Sequence, residues 1–243
     1  MRFKFEQYNL LTTWDQEAAI ELARAIIGEQ VELEQVFRDN KQTFIGRFRA
    51  RDQHLVLKIP RGRNARTWQR FLTWFRSGEC EKVYESHLKL QSGKLRAPAP
   101  ILAAEKRKLG VVVDSFLVYE FVEGRIADES DAQAVVNTLL ELHAMGYIRR
   151  DPQLANFVIR DGEIFLIDFK LLQPLLFTRL HTFMELTHFL SKYPHLQLDL
   201  PENLERSIWY RVAVQIFAFK RLSRNFRRGI KRYLKRKLGL NKG

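Results

Sequence analysis

The chain has 243 residues, 46% of them hydrophobic and 12% aromatic, which supports a folded protein with a real core and excludes a disordered chain. A single cysteine, Cys80, excludes an intramolecular disulfide and fits a reducing compartment, where a small buried side chain is its simplest role. The 41 basic and 28 acidic residues are unevenly spread: residues 206–243 hold thirteen Lys or Arg and no Asp or Glu, so residues 1–205 are neutral, with 28 of each sign.

The opening MRFKFEQYNLLTTWDQ lacks the continuous apolar stretch of a secretion signal, and no uncharged run approaches bilayer-spanning length. A cytosolic protein, or one attached to a membrane from the cytosolic side, is expected. Thr13 followed by Gln16 reads as a capping box for a helix from about Asp15 to Gly28. VELEQVF, KQTFIGRFRA and HLVLKIP then read as three strands, with tight polar turns at Asp39-Asn40 and Asp52-Gln53. A helical stretch from about Asn64 to Leu90, broken at Ser77-Gly78, precedes two further strands in LRAPAPILAAE and VVVDSFLVYEFVEG.

Beyond Gly124 the pattern changes from strand to helix. Val135, Val136, Leu139, Leu140 and Leu142 give residues 131–145 an apolar face, and Gly146 closes that helix. In YIRRDPQLANFVIRDGEIFLIDFK (147–170), Asp161-Gly162 between FVI and IFLID is a strong hairpin signal. Everything after Thr178 reads as helical. The last stretch, residues 219–240, spaces Leu222, Phe226, Ile230, Tyr233, Leu234 and Leu238 at helical intervals among Arg and Lys. That is the pattern of a basic amphipathic helix lying on an anionic membrane surface.

A hairpin across Asp161-Gly162 brings Asn156 and Asp168 out at one end of the ribbon, beside the loop that carries Asp151. An amide and an acid there suit a hard cation such as Mg²⁺, and a further carboxylate free of the metal can accept a proton from an attacking hydroxyl. Metal, base and orientation are the parts that phosphoryl transfer needs. Taken singly, Asp151 is an acid before proline, Asn156 a turn former and Asp168 a strand-end cap; their joint order and spacing carry the catalytic reading.

The stretch resembles the catalytic loop and metal-binding turn of the protein-kinase-like fold. Asp151 and Asn156 meet its D-x-x-x-x-N spacing, and Asp168-Phe169 stands where that family has D-F-G. LHAMGYIRRDPQLANF further resembles the LH-x-x-G-Y-x-HGDP-x-x-x-NF pattern of bacterial sugar and lipopolysaccharide kinases. With VVVDSFLVYEFVEG upstream and the chain length, the match is to the lipopolysaccharide core heptose(II) kinase family.

The resemblance implies a two-lobed α+β protein-kinase-like fold, with an N-terminal antiparallel β lobe and a mainly helical C-terminal lobe. Its divisions fall at residues 1–120 for the nucleotide-binding lobe, 121–220 for the catalytic lobe and 221–243 for the basic tail. Lys58, on an apolar strand at the V-A-I-K position, is expected to hold ATP phosphates. Its acidic partner is expected among Glu79, Glu81 and Glu85, with Glu81 favoured because Tyr84 and Leu88 place it on an inward helix face. Glu120 to Val122 are expected to meet the adenine edge through their backbones, Asn156 and Asp168 to hold Mg²⁺, and Asp151 to act as base.

Three departures stand out. The HGD of the sugar kinases is RRD here, and Arg149 and Arg150 suit an anionic acceptor. The nucleotide-covering hairpin has only Gly46 in TFIGRF, and Lys170 replaces the glycine after Asp168-Phe169. The function implied is ATP- and Mg²⁺-dependent phosphorylation of a heptose in the lipopolysaccharide core oligosaccharide. It would take place peripherally on the cytoplasmic face of the inner membrane, docked through the tail, with no nucleic acid as partner. A kinase for a Kdo sugar or an aminoglycoside, and a non-catalytic nucleotide-binding pseudokinase scaffold, are the alternatives.

Overall fold

A computed structural model describes residues 1–64, 77–91, 93–149, 151–201, 204, 206–219 and 223. The chain divides into two compact units, residues 1–127 with 155–171, and residues 128–154 with 172–243. The sequence expectation put this division at 120/121 and gave all of 121–220 to the second lobe. Instead the Asp161-Gly162 hairpin counts with the first unit.

The first unit is built on a seven-stranded antiparallel sheet. Its strands are β1 (Arg2–Phe5), β2 (Tyr8–Thr12), β3 (Leu33–Asp39), β4 (Phe44–Ala50), β5 (Gln53–Ile59), β6 (Pro100–Lys108) and β7 (Val111–Glu120), in the spatial order β1-β2-β6-β7-β5-β4-β3. Side chains alternate across it. Leu55, Leu57, Phe116 and Val118 face α1 (Gln16–Ile27), which contributes Ala19, Leu22, Ala23 and Ile26 to that core. Val56, Leu117 and Tyr119 face the other way, onto Cys80, Val83 and Tyr84 of α3 (Glu79–Gln91), which follows a single turn, α2 (Arg61–Asn64). Cys80 is the small core side chain expected, its thiol pushed up to about 12 by burial.

Local chemistry accounts for most turns and for two corrections. The β4–β5 turn lies at Arg51-Asp52, both at positive φ, one residue earlier than expected; two successive left-handed residues match the twist of a tight hairpin. The cap of α1 is Asp15, whose carboxylate accepts from the Ala18 N–H at 2.9 Å, while Thr13 donates to the Pro100 carbonyl at 2.7 Å. The capping box expected from Thr13 and Gln16 is therefore displaced by a long-range bond. The β1–β2 hairpin, unanticipated in the sequence, turns at Glu6, another left-handed residue without glycine to announce it.

A second, three-stranded sheet completes this unit, in the order β10-β9-β8: β8 (Arg125–Ile126), β9 (Phe157–Arg160) and β10 (Glu163–Leu166). Asp161 and Gly162 both take positive φ, as an Asp-Gly hairpin requires. Gly124 packs so closely on the Ile159 backbone that a Cβ has no room, which admits β8 beside β9.

In the second unit α4 (Ala132–Ala144) buries Val135, Val136, Leu139 and Leu142 completely. It ends at Gly146, in the left-handed conformation, with the Tyr147 N–H reaching back to the Leu142 carbonyl. α5 (Thr178–Lys192) buries Leu186 and Phe189, and residues 208–219 form a further helix, α6, with Ala213 inside. The expectation of helix throughout after Thr178 is corrected between them, because Pro194 and Pro201 deny the chain the N–H groups a helix needs. The basic tail reading falls on residues 219–240, of which all but Phe219 and Ser223 lie outside the described residues.

Candidate active site

Lys58 lies near the end of β5 on the face that Val56 shares, which sends its ammonium past α3. It forms an ion pair with the Asp168 carboxylate. Asp168 takes a left-handed backbone, uncommon for a non-glycine residue, and leaves its side chain 45% exposed. The Ile167 N–H donates to the Asn156 carbonyl at 3.0 Å, directly beyond the Phe157–Leu166 pair, so Asn156 and Asp168 emerge at one end of the β9–β10 ribbon. Lys58, Asn156 and Asp168 are thus brought together within the first unit.

The segment carrying Asp168 is held by α3 through three contacts. Phe169 is buried and stacks on His87, with ring centroids 4.6 Å apart and planes 3° off parallel. Lys170 pairs with Glu79 at 3.1 Å, and the Leu171 N–H donates to Ser86 Oγ at 3.1 Å. Lys170 thereby gains a fixed partner in place of a flexible glycine. Of the glutamates weighed for Lys58, Glu81 pairs with Arg2 and Glu79 with Lys170. The expected Lys58–Glu81 pair is corrected accordingly: the ion pair that Lys58 makes is with Asp168.

Sequence reasoning missed Glu105. It sits in β6, nearly fully buried, and accepts from the Gly78 and Glu81 N–H groups at the start of α3 and from Arg107. Burial first, and then the neighbouring Glu81 charge, raise its carboxyl above the usual range. A carboxylate at a helix N-terminus is favourable, and it positions α3 against the sheet. A Cβ on Gly78 would push that carboxylate aside. An acid within an apolar strand was the available signal.

His87 is 1% exposed, donates its Nδ1–H to the Pro98 carbonyl (3.0 Å), and has its pKa lowered to about 4, chiefly by burial. In the unfolded chain it titrates near the ordinary value, so between about pH 6.5 and pH 4 the unfolded state binds the proton and the native state does not. Stability therefore falls as pH drops through that window and levels off below it, by about 3 kcal/mol in all. His87→Phe keeps a ring on Phe169 and removes that slope; urea midpoints compared across the window measure it.

At the end of β7, the Glu120 N–H donates to the Ala99 carbonyl (2.9 Å) and the Phe121 N–H to the His54 carbonyl (2.8 Å). These N–H donors are spent in the fold, so any contact of Glu120 with a base edge falls to its carbonyl. Val122 is buried, and among the described residues no hydrogen bond engages its N–H. The Glu120 side chain instead meets Arg160 at 3.7 Å in a cleft of about 500 Å³ that Trp14, His54 and Glu123 also line. Phe37 stacks on Phe121 beside it, with ring centroids 5.8 Å apart.

Asp151 belongs to the second unit, where it accepts from Lys192 Nζ at 3.1 Å and from Gln153 Nε2 at 2.6 Å. Lys192 comes from the end of α5, 41 residues away, and nothing in the sequence announced it. Arg149 is 5% exposed, and its N–H donates to the buried Glu185, which also bonds His143 Nε2 at 3.0 Å. Its burial corrects the expectation that Arg149 meets an acceptor. Arg150 lies outside the described residues.

Asn156 and Asp168 offer two hard oxygen donors, and among the described residues no cluster of three or more His, Cys, Asp or Glu is placed to hold a metal. That set fits Mg²⁺, which is bound through one or two side chains with phosphates and water supplying the rest.

A lysine-bearing antiparallel sheet, a helix packed on its face, and a hairpin that carries an asparagine and an aspartate at one end define a protein-kinase-like α+β fold in two units. A solved structure, "WaaP in complex with acyl carrier protein", shares that fold with a TM-score of 0.56 over 94% of this chain and 97% of its own, at 12% identity. The family described as lipopolysaccharide core biosynthesis protein (WaaY) matches residues 1–175, and the chain belongs to it. The lipopolysaccharide core heptose(II) kinase WaaY of Escherichia coli (strain K12) is 25% identical over 121 residues, 47% of this chain. The match spans about half, 52%, of that relative.

Proposed function

We propose that the chain is an ATP-dependent kinase that phosphorylates a heptose hydroxyl of the lipopolysaccharide inner core. The observation that carries the reading is the meeting of Lys58 with Asp168 at the ribbon end that also bears Asn156. Membership of the WaaY family and the named activity of the Escherichia coli relative support the acceptor class.

In this reading Lys58 exchanges its Asp168 partner for ATP phosphate oxygens, which is a charge-for-charge replacement. Asn156 and Asp168 would hold Mg²⁺, which would supply positive charge against the phosphates. The Val122 N–H receives the base edge. Asp151 takes the proton of the sugar hydroxyl; the hydroxyl oxygen bonds to the γ-phosphorus as its bond to the β-phosphate oxygen breaks, leaving ADP and a phosphate monoester. Lys192 and Gln153 orient the Asp151 carboxylate.

The acceptor is attached to lipid, and the excess charge of residues 206–243 gives the protein an affinity for an anionic cytoplasmic leaflet. Among the described residues no helix is long and apolar enough to cross a membrane. Incubation of the chain with ATP labelled at the γ-phosphate and dephosphorylated core oligosaccharide tests the proposal, with mass spectrometry to locate the phosphate. Label on a heptose supports it; label on a Kdo sugar or an aminoglycoside alone moves the acceptor. Nucleotide binding with no transfer assigns a pseudokinase scaffold.

A further inference from the structure

The second unit exposes a run of large apolar side chains that the proposed chemistry does not use. Leu175, Leu176 and Phe177 are 95%, 73% and 62% exposed in immediate succession. Phe177 meets Trp209 with ring centroids 6.0 Å apart, which joins this loop to α6. On α6, Tyr210, Ala213 and Phe217 turn inward, Tyr210 onto Phe183 and Phe217 onto His188 of α5. Ile208, Val212 and Phe219, at helical spacing on another stripe, remain exposed. A helix apolar on more than its core face has a second apolar environment to satisfy.

Phe177 adds an independent sign. Its φ of 54° and ψ of 39° are left-handed, a costly conformation for a bulky residue, and it occupies the cap position of α5 without a side-chain cap bond. Asparagine would suit both roles. An exposed aromatic kept where the backbone and the cap both disfavour it points to a function for the ring.

The charge around the patch selects its partner. Between residues 172 and 192 the sole acid is Glu185, which is buried, while Arg179, Arg206 and Arg211 are exposed. Asp199, Glu202 and Glu205 lie between, and residues 206–243 then hold thirteen Lys or Arg and no acid. Apolar side chains accompanied by exposed cations match an anionic lipid surface, where the chains enter the acyl boundary and the cations meet headgroups.

We infer that Leu175, Leu176 and Phe177, with Trp209 and the outer stripe of α6, insert into an anionic bilayer surface and seat the second unit there. The inference deepens the membrane part of the proposed function and is independent of whether phosphate is transferred. Electrostatic attraction of the tail alone would be stripped by salt; insertion of apolar side chains would persist.

The full chain is sedimented with vesicles of phosphatidylethanolamine and phosphatidylglycerol, at low and high salt, beside phosphatidylcholine controls. Wild type is expected to keep a salt-resistant bound fraction on the anionic vesicles, with tryptophan fluorescence quenched by brominated lipid and part of that quenching lost in Trp209→Phe. Leu175→Ser with Leu176→Ser should lower the salt-resistant partitioning by about ten-fold or more. Phe177→Asn should lower it too while raising Tm by about 2–4 °C, opposite movements that a folding defect cannot produce. Transfer to soluble, delipidated oligosaccharide should be unchanged in both, which separates this inference from the kinase reading. Wild-type binding wholly removed by salt, or variants that bind as wild type does, would overturn it. An oligomer that dissociates in the variants, with vesicle binding intact, would assign the surface to a second copy and overturn it equally.

Discussion

Asp151→Asn is expected to lower phosphate transfer by about a thousand-fold, within the range general-base catalysis supplies, while nucleotide binding stays at the wild-type level. The amide fills the same volume, so it keeps the contact with Lys192 through its oxygen, and the loop that carries it retains its place. It cannot take the hydroxyl proton. Asp151 is not among the groups assigned to ATP or Mg²⁺, so the loss should appear in kcat with little change in the KM for ATP. Steady-state kinetics with nucleotide titration measure both, and full transfer by the variant would refute the assignment of the base.

Lys58→Met should lower kcat/KM for ATP by about a hundred-fold, the scale of one or two charge-assisted hydrogen bonds to phosphate. The methionine retains the side-chain length among Val56, Cys80 and Leu117, so packing on α3 changes little. Loss of the Lys58–Asp168 pair itself should cost no more than about 1 kcal/mol of stability, because Asp168 is nearly half exposed and solvent screens the attraction. Lys58→Arg should restore little: a planar fork cannot replace a compact ammonium at the same point. The contrasting outcome, a large loss of stability with ATP affinity intact, would make Lys58 a structural residue.

The parts of this fold that the sequence made legible are those built by local chemistry. Asp161-Gly162 announced its hairpin because both positions need positive φ, and that turn sets Asn156 opposite Ile167, next to Asp168. Gly146 closed α4 for the same reason. What stayed hidden depends on partners far along the chain. Thr13 looks like a helix cap until Pro100 takes its hydroxyl, and the three glutamates of α3 cannot be ranked until Arg2 and Lys170 arrive from 79 and 91 residues away. Arg149 carried a surface charge in the sequence, yet its N–H is drawn to Glu185 and the residue is buried. Glu105 and His87 are polar residues in apolar runs, and only packing shows that they brace α3 and Phe169.

The central claim is that the chain transfers the γ-phosphate of ATP to a heptose hydroxyl, and transfer of that phosphate to dephosphorylated core oligosaccharide tests it most directly. The account predicts phosphate on a heptose from the wild-type chain, dependent on Mg²⁺, and none above background from Asp168→Asn or Asp151→Asn. Equal labelling of the acceptor by wild type and both variants would contradict it.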